Sequence, residues 1–242
     1  MAESRLNVVL LNYTQNPEET VSHAARLCYS SSTIEKLKER VTQNDQDRFV
    51  NKLASIGHTS PFEHVSFTFG VEGISRACSH QLVRHRLASF SQQSQRYVGS
   101  HGNDNKGFDY IIPPSVKQTG MEGWFSGKME ELQKWYNELV EVLSNNGDSV
   151  YEDARFILPN AIETKIVITM NARELLHFFN VRCCNRAQWE IREMAMEMLR
   201  ITKPLAPNIF KNSGPSCVND KCEEGEMSCG KTQEVRIRFQ NL

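Results

Sequence analysis

A domain that mixes strands with helices is predicted by two alternating segments and one long amphipathic run. In the first segment Val65, Phe67, Phe69 and Val71 take one face, and Ser66, Thr68 and Gly70 the other. In the second, Ile162, Thr164, Ile166, Ile168 and Met170 share a face. A period of two is the signature of a half-buried strand. From Met121 the apolar positions run 121, 125, 129, 132, 136, 139 and 143, and steps of three and four mark an amphipathic helix.

Along the chain, Leu6 to Tyr13 reads as a strand feeding the core. Asn16 stands as the cap of a helix opening with Pro17, Glu18 and Glu19, whose apolar positions Val21, Ala24, Ala25 and Cys28 keep helical spacing. Two further helices are expected over 33–42 and 45–56, and a proline-bearing turn over His58–His64. A helix over 73–86 would carry Gln81, Arg84 and His85 on one face, at i, i+3 and i+4. Beyond it, Ser89–Ser94 reads as a polar loop, and Gly99–Gly107 as a loop rich in Gly and Asn. A short edge strand at Asp109–Pro114 is stopped by its prolines. The spacing assigns Trp124 and Trp135 to packing rather than to base stacking. A helical piece over 149–157 follows the long helix. Asn171, with Glu174 three residues on, reads as a capping box. After it, Ala187, Ile191, Met194, Ala195, Met198 and Ile201 form the buried stripe of another helix.

At 242 residues the chain is long enough for one sizeable domain, expected over 1–210, with a cysteine-containing tail over 211–242. A net charge of −1 argues against a general nucleic-acid coat. No apolar run approaches the ~20 residues that span a membrane. Seven cysteines without a basic-plus-apolar leader read as reduced thiols, a metal site or redox chemistry, in a cytoplasmic protein. The tail spacing C-x4-C-x6-C (Cys217, Cys222, Cys229) is not that of a standard zinc ribbon, but Cys183 or Cys184 could complete a four-sulfur site. The basic expectation is no metal.

The segment from Arg84 to Tyr97 concentrates the chemistry. It holds three arginines, one histidine, three serines and three glutamines in fourteen residues, with no acid. Such a run suits anionic, planar, hydrogen-bonding ligands, although cations near a helix C-terminus also serve as a solvated face. Arg84-His85-Arg86, seven residues, then Ser94 resembles the signature of the flavin-dependent thymidylate synthases. Arg182-Cys183-Cys184-Asn185-Arg186-Ala187-Gln188-Trp189-Glu190 is a second match, and the resemblance extends from Ser60 to about Glu190.

That resemblance implies an α+β fold, with a central, largely antiparallel sheet flanked by helices, assembled as a homotetramer with sites shared between subunits. It implies conversion of dUMP to dTMP, with 5,10-methylenetetrahydrofolate giving the carbon and FAD, reduced by NADPH, giving the hydride. By the same resemblance Arg182 activates the pyrimidine electrostatically, and dUMP is bound by Gln81, Arg84, Gln92, Gln93, Ser94, Gln95, Arg96, Arg155 and Arg182. Arg96 and Arg155 act chiefly on phosphate. FAD is held by Ser60, Arg84, His85, Arg86, Gln92, Asn171, Arg173 and His177, and His58 is a folate or NADPH candidate. Relatives often carry Glu where Gln92 stands. The alternative is a nucleic-acid-binding module using the Arg84–Tyr97 loop, against which the near-zero net charge speaks.

Overall fold

The computed structural model describes residues 1–39, 43–100, 107–144 and 150–242. In chain order the elements are β1 (Asn7–Tyr13), α1 (Pro17–Leu27), α2 (Ile34–Glu39), α3 (Gln43–Ser55), a 3-10 turn (Ser60–His64), β2 (Ser66–Ser75), α4 (Arg76–Leu82) and β3 (Ser89–Gln92). They continue with α5 (Pro114–Gln118), α6 (Glu122–Ser144), α7 (Val150–Ala154), a 3-10 turn (Arg155–Ile157), β4 (Glu163–Asn171), α8 (Ala172–Arg182), α9 (Trp189–Thr202), α10 (Pro207–Phe210) and α11 (Thr232–Gln240). The strands make an open antiparallel sheet in the order β1-β2-β4-β3, flanked by helices, as the α+β expectation requires. The faces of β2 and β4 bury the alternating residues read from the sequence: Val65, Phe67, Phe69 and Val71 on one, Ile162, Thr164, Ile166, Ile168 and Met170 on the other.

The chain divides into two compact units. One comprises Met1–Asn7, Gly70–Arg84 and Phe90–Val167; the other comprises Val8–Phe69, His85–Ser89 and Ile168–Leu242. The first unit is organised by α6. Its Met129 packs with Phe108, Tyr110, Ile112 and Ile162 in an apolar cluster. One turn on, Gln133 Oε1 accepts from the Phe108 N–H at 2.6 Å. Gly73, at φ +71°, lets β2 pass the N-terminal segment, where a Cβ would stand 1.8 Å from the Arg5 carbonyl oxygen. Only glycine fits there.

The second unit has an aromatic core. Phe67 and Phe179 each meet Phe210 edge-on, at 5.6 and 5.8 Å between ring centroids, and Tyr13 stacks on Phe67 at 6.0 Å. The buried Glu18 carboxylate accepts from the backbone and side-chain N–H groups of Asn208 at 2.6 and 2.7 Å, which offsets its desolvation. The tail belongs to this unit, with Val235 and Phe239 of α11 buried.

Several local expectations are corrected. Asn16 precedes α1 in a left-handed conformation, φ 47° and ψ 58°, and its side chain makes no cap bond. Strand β2 runs on to Ser75, whose Oγ caps α4 by accepting from Cys78 N at 3.0 Å. Helix α4 then stops at Leu82, so Arg84 and His85 lie beyond it and share no helical face with Gln81. Ser89–Ser94 is not all loop. Its first four residues are β3, and Gln93 N donates to the Lys165 carbonyl of β4 at 2.9 Å.

Asp109–Pro114 is no edge strand. Tyr110 makes isolated bridges to Glu3 and Ile162, and the apolar side chains there are buried. Trp124 and Trp135 are 58% and 50% exposed, because the buried stripe of α6 passes through Met129, Gln133 and Tyr136 instead. The expectations for residues 40–42, for the centre of the Gly99–Gly107 loop (101–106) and for position 149 lie outside the described residues.

Candidate active site

In the second unit, α8 begins where β4 ends. Asn171 caps it, its Oδ1 accepting from the Glu174 N–H at 2.8 Å. The return half of the expected capping box is absent, because the Glu174 carboxylate turns to His85. Their separation is 3.2 Å, from Oε1 to Nδ1, and both side chains are buried. The other imidazole nitrogen, Nε2, accepts from Nε–H of Arg182 at 2.9 Å. Since an arginine only donates, Nε2 carries the lone pair and Nδ1 carries the proton given to Glu174. The histidine tautomer is thus set by its two neighbours.

The electrostatics agree with that assignment. Burial, then the Arg182 charge, then His177 hold His85 down at about 4, so the ring is neutral near pH 7. Burial also pushes the Glu174 carboxyl upward. Phe178 closes over the imidazole edge-on at 4.9 Å between ring centroids, and His177 lies at 6.0 Å. His85 is only 7% exposed. A neutral, fully bonded imidazole therefore acts as the seat for one edge of the Arg182 guanidinium.

Two turns of α8 separate Glu174 from Arg182, so eight residues bring both to the same side of the helix. Nearby, Arg173 pairs with Glu63, which follows Ser60–Pro61–Phe62 in the 3-10 turn. Ser60 Oγ stands 3.5 Å from His58 Nε2, at the limit of a hydrogen bond.

In the first unit, Gln92 of β3 is fastened from within. Its Nε2 donates to Ser79 Oγ at 2.9 Å and to Thr164 Oγ1 at 3.1 Å. The chain then leaves the sheet, and Ser94 shapes the turn: its Oγ accepts from Arg96 N at 3.2 Å, and its carbonyl accepts from Val98 N at 3.1 Å. Gln93, Ser94 and Gln95 line a cavity of about 320 Å3 that also borders Glu163, Thr164 and Lys165. Arg96 donates to the Glu152 carboxylate at 2.8 Å, and Arg155 Nε donates to the Glu152 carbonyl at 3.0 Å. One residue thereby steadies two of the arginines read as phosphate ligands.

Residues 9–208 match the family described as thymidylate synthase complementing protein, Thy1. A flavin-dependent thymidylate synthase of Geobacter sulfurreducens is 52% identical over 239 residues, covering 98% of this chain and 99% of that protein. One of Clostridium tetani is 50% identical over 243 residues, covering 96% of each, and one of Pyrococcus furiosus is 44% identical over 248 residues, covering 98% of each. The chain belongs to the flavin-dependent thymidylate synthase family.

Set against the family resemblance, the candidate residues fall into two groups. His85, Asn171, Arg173, His177 and Arg182 gather around the N- and C-terminal turns of α8 in one unit, which also contains Arg86, Ser60 and His58. Gln81, Arg84, Gln92, Gln93, Ser94, Gln95, Arg96 and Arg155 belong to the other. Among the described residues Ser94 has no general base as a hydrogen-bond partner, which fits a binding role rather than a nucleophile.

Glu174 stands in the sequence only as the capping-box partner of Asn171, and nothing local points it to His85. Its eight-residue separation from Arg182 was the available signal. Ser79 and Thr164 stand in no motif of the sequence, although each supplies an acceptor to Gln92.

The cysteines separate by environment. Cys183 is buried and its thiol is pushed up to about 12, chiefly by that burial. Cys184 Sγ accepts from Arg186 N, and Cys229 Sγ from Asn185 Nδ2, each at 3.5 Å. Arg238 of α11 donates to Asn185 Oδ1 at 2.9 Å. Among the described residues, no three His, Cys, Asp or Glu side chains are arranged to hold a metal ion.

Proposed function

We propose that this chain is a thymidylate synthase that converts dUMP to dTMP. In this reading 5,10-methylenetetrahydrofolate provides the carbon, and FAD, reduced by NADPH, provides the reducing equivalents. The observation that carries it is the Glu174–His85–Arg182 chain, in a protein whose similarity to flavin-dependent thymidylate synthases covers nearly its whole length.

The residues present fit an anionic flavin nucleotide. Arg84 and Arg86 are exposed, and among the described residues neither is paired with an acid. Guanidinium groups free of carboxylates are suited to pyrophosphate. When bound, reduced FAD supplies a hydride.

The chain's own contribution is electrostatic and positional. C5 of uracil is a weak nucleophile until charge is pushed into the ring. A guanidinium beside the pyrimidine stabilises the negative charge that develops at N3 and O2, and a preorganised donor lowers the barrier more than a mobile one. Arg182 has the permanent charge for this task. His85 fixes its direction, and Glu174 fixes His85. Cys183, held protonated by burial, is unsuited to the thiolate addition that other thymidylate synthases use.

The same proposal includes a homotetramer with shared sites, working in the cytoplasm. Large exposed apolar side chains at Leu87, Tyr97 and Phe156 support self-association. No helix among the described residues is long and apolar enough to cross a membrane.

The visible spectrum tests the flavin part of the reading. Protein supplemented with FAD and desalted is expected to keep an oxidised flavin band that bleaches with anaerobic NADPH and changes on adding dUMP. Protein that holds no flavin under any condition contradicts the proposal.

A further inference from the structure

The C-terminal segment of the second unit gathers cysteines where it has little apolar surface to bury. Residues 219–231 are all exposed apart from the half-buried Cys222. A stretch of that kind has no core of its own, and small segments without a core are held by cysteine chemistry or other staples. Polar bonds fix its course. Arg236 donates to the carbonyls of Cys217 and Asp220 at 2.9 and 3.0 Å, and Glu223 N donates to Ser216 Oγ at 3.2 Å.

Asn185, in the turn between α8 and α9, is where the tail docks. Its Oδ1 accepts from Arg238 of α11 at 2.9 Å, and its carbonyl accepts from Arg192 of α9 at 3.0 Å. Its Nδ2 donates to Cys229 Sγ at 3.5 Å. The preceding residue is Cys184, whose Sγ accepts from Arg186 N at 3.5 Å and directs its own S–H to the Glu224 carboxylate at 4.0 Å. Tail and turn thus set Cys229 and Cys184 on either side of one asparagine.

The sulfurs sort into pairs. Burial raises the Cys184 thiol first, and among its sulfur neighbours Cys229 acts ahead of Cys222. Burial also comes first for Cys217, whose leading sulfur neighbour is Cys222. Cys229 is the opposite case, exposed and lowered by the Lys231 backbone N–H and then by Asn185. An exposed sulfur that ionises readily is suited to attack, and a protonated one beside a carboxylate is suited to follow.

We propose that Cys229 and Cys184 form a thiol–disulfide exchange site for low-molecular-weight disulfides, with Cys229 attacking and Cys184 resolving. The Cys229 thiolate attacks one sulfur of the small disulfide, breaks its S–S bond and releases a thiolate. Cys184 then passes its proton to Glu224 and attacks the Cys229 sulfur, expelling the second small thiolate. Two protein thiols are oxidised to one disulfide, and the small disulfide is reduced to two thiols that take up both protons. The new bond ties the tail to the turn that follows Arg182. It is independent of the nucleotide reading above.

Incubation of the whole protein with oxidised glutathione, followed by acid quenching, alkylation and peptide mass spectrometry, tests the site. Wild type is expected to yield a peptide pair joined through Cys184 and Cys229, reversed by dithiothreitol. Cys184→Ser should trap glutathione on Cys229, because the resolving thiol is gone. Cys229→Ser should leave Cys184 unmodified over the same interval. Both variants should melt in reductant as wild type does, since a serine oxygen can take over either sulfur's acceptor role. Wild type whose Cys184 and Cys229 stay free in oxidised glutathione overturns the proposal. A bond joining either of them to Cys217 or Cys222 overturns the pairing, and glutathione trapped on Cys184 in Cys229→Ser overturns the order of attack. Zinc that copurifies with wild type and is lost in Cys184→Ser replaces the exchange site with a metal site.

Discussion

Nε–H of Arg182 donates to Nε2 of a neutral, buried His85 at 2.9 Å, and the far side of that imidazole meets Glu174 at 3.2 Å. The guanidinium is therefore aimed by His85 directly and by Glu174 through that histidine. This makes Glu174 and His85 positioning residues in the proposed reaction.

Glu174→Gln retains an oxygen that can accept from Nδ1–H of His85, so its melting temperature and kcat should stay near wild type. Glu174→Leu leaves a buried donor unsatisfied and should cost about 1–3 kcal/mol of stability. Its kcat should fall while FAD retention persists. A Leu variant as stable and active as the Gln variant would show that the hydrogen bond is immaterial.

Protonation of His85 gives a pH dependence of defined sign. Its folded pKa is about 4, below the ordinary value of 6.5. Between those values the unfolded chain binds a proton that the folded chain refuses. Stability conferred by the neutral ring is thus complete above about pH 6.5, declines as pH falls, and is lost below about 4, amounting to roughly 3 kcal/mol. Denaturant titrations of wild type and His85→Asn from pH 7 to 4.5 read this directly. The wild type should lose more stability across the window than the variant, whereas parallel pH curves contradict the assignment.

Much of the sheet could be read from the sequence because a strand with one buried face repeats every two residues, as in Phe67–Phe69–Val71 and Ile166–Ile168–Met170. The end of α4 could not. Arg84 and His85 keep helical spacing from Gln81, and what draws His85 out of the helical path is Glu174, 89 residues away. Such a long-range partner leaves no local periodicity. The two tryptophans of α6 fail for a related reason: the polar Gln133 is buried because it accepts from Phe108 N, so the stripe rotates away from Trp124 and Trp135. Arg182 and the Arg84–Arg86 group were legible as motifs, whereas Glu174 required knowledge of what folds against it.

The thiols should react in an order set by burial. Cys229 is exposed, and hydrogen bonds from the Lys231 backbone and then from Asn185 lower its pKa, whereas burial raises those of Cys183, Cys184 and Cys217. Brief treatment of native protein with iodoacetamide, followed by peptide mass spectrometry, should find Cys229 alkylated ahead of those three. Modification of Cys183 while Cys229 remains free would contradict the arrangement.

The most direct measurement is product analysis of an anaerobic mixture of the protein with FAD, NADPH, 5,10-methylenetetrahydrofolate and dUMP, run beside Arg182→Ala. Wild type should yield dTMP and tetrahydrofolate. The variant should retain FAD and form dTMP at least about 100-fold more slowly, the usual scale for removing one preorganised donor. Wild-type protein that reduces its flavin yet leaves dUMP unchanged contradicts the proposed activity, and undiminished dTMP formation by the variant removes Arg182 from the centre of it.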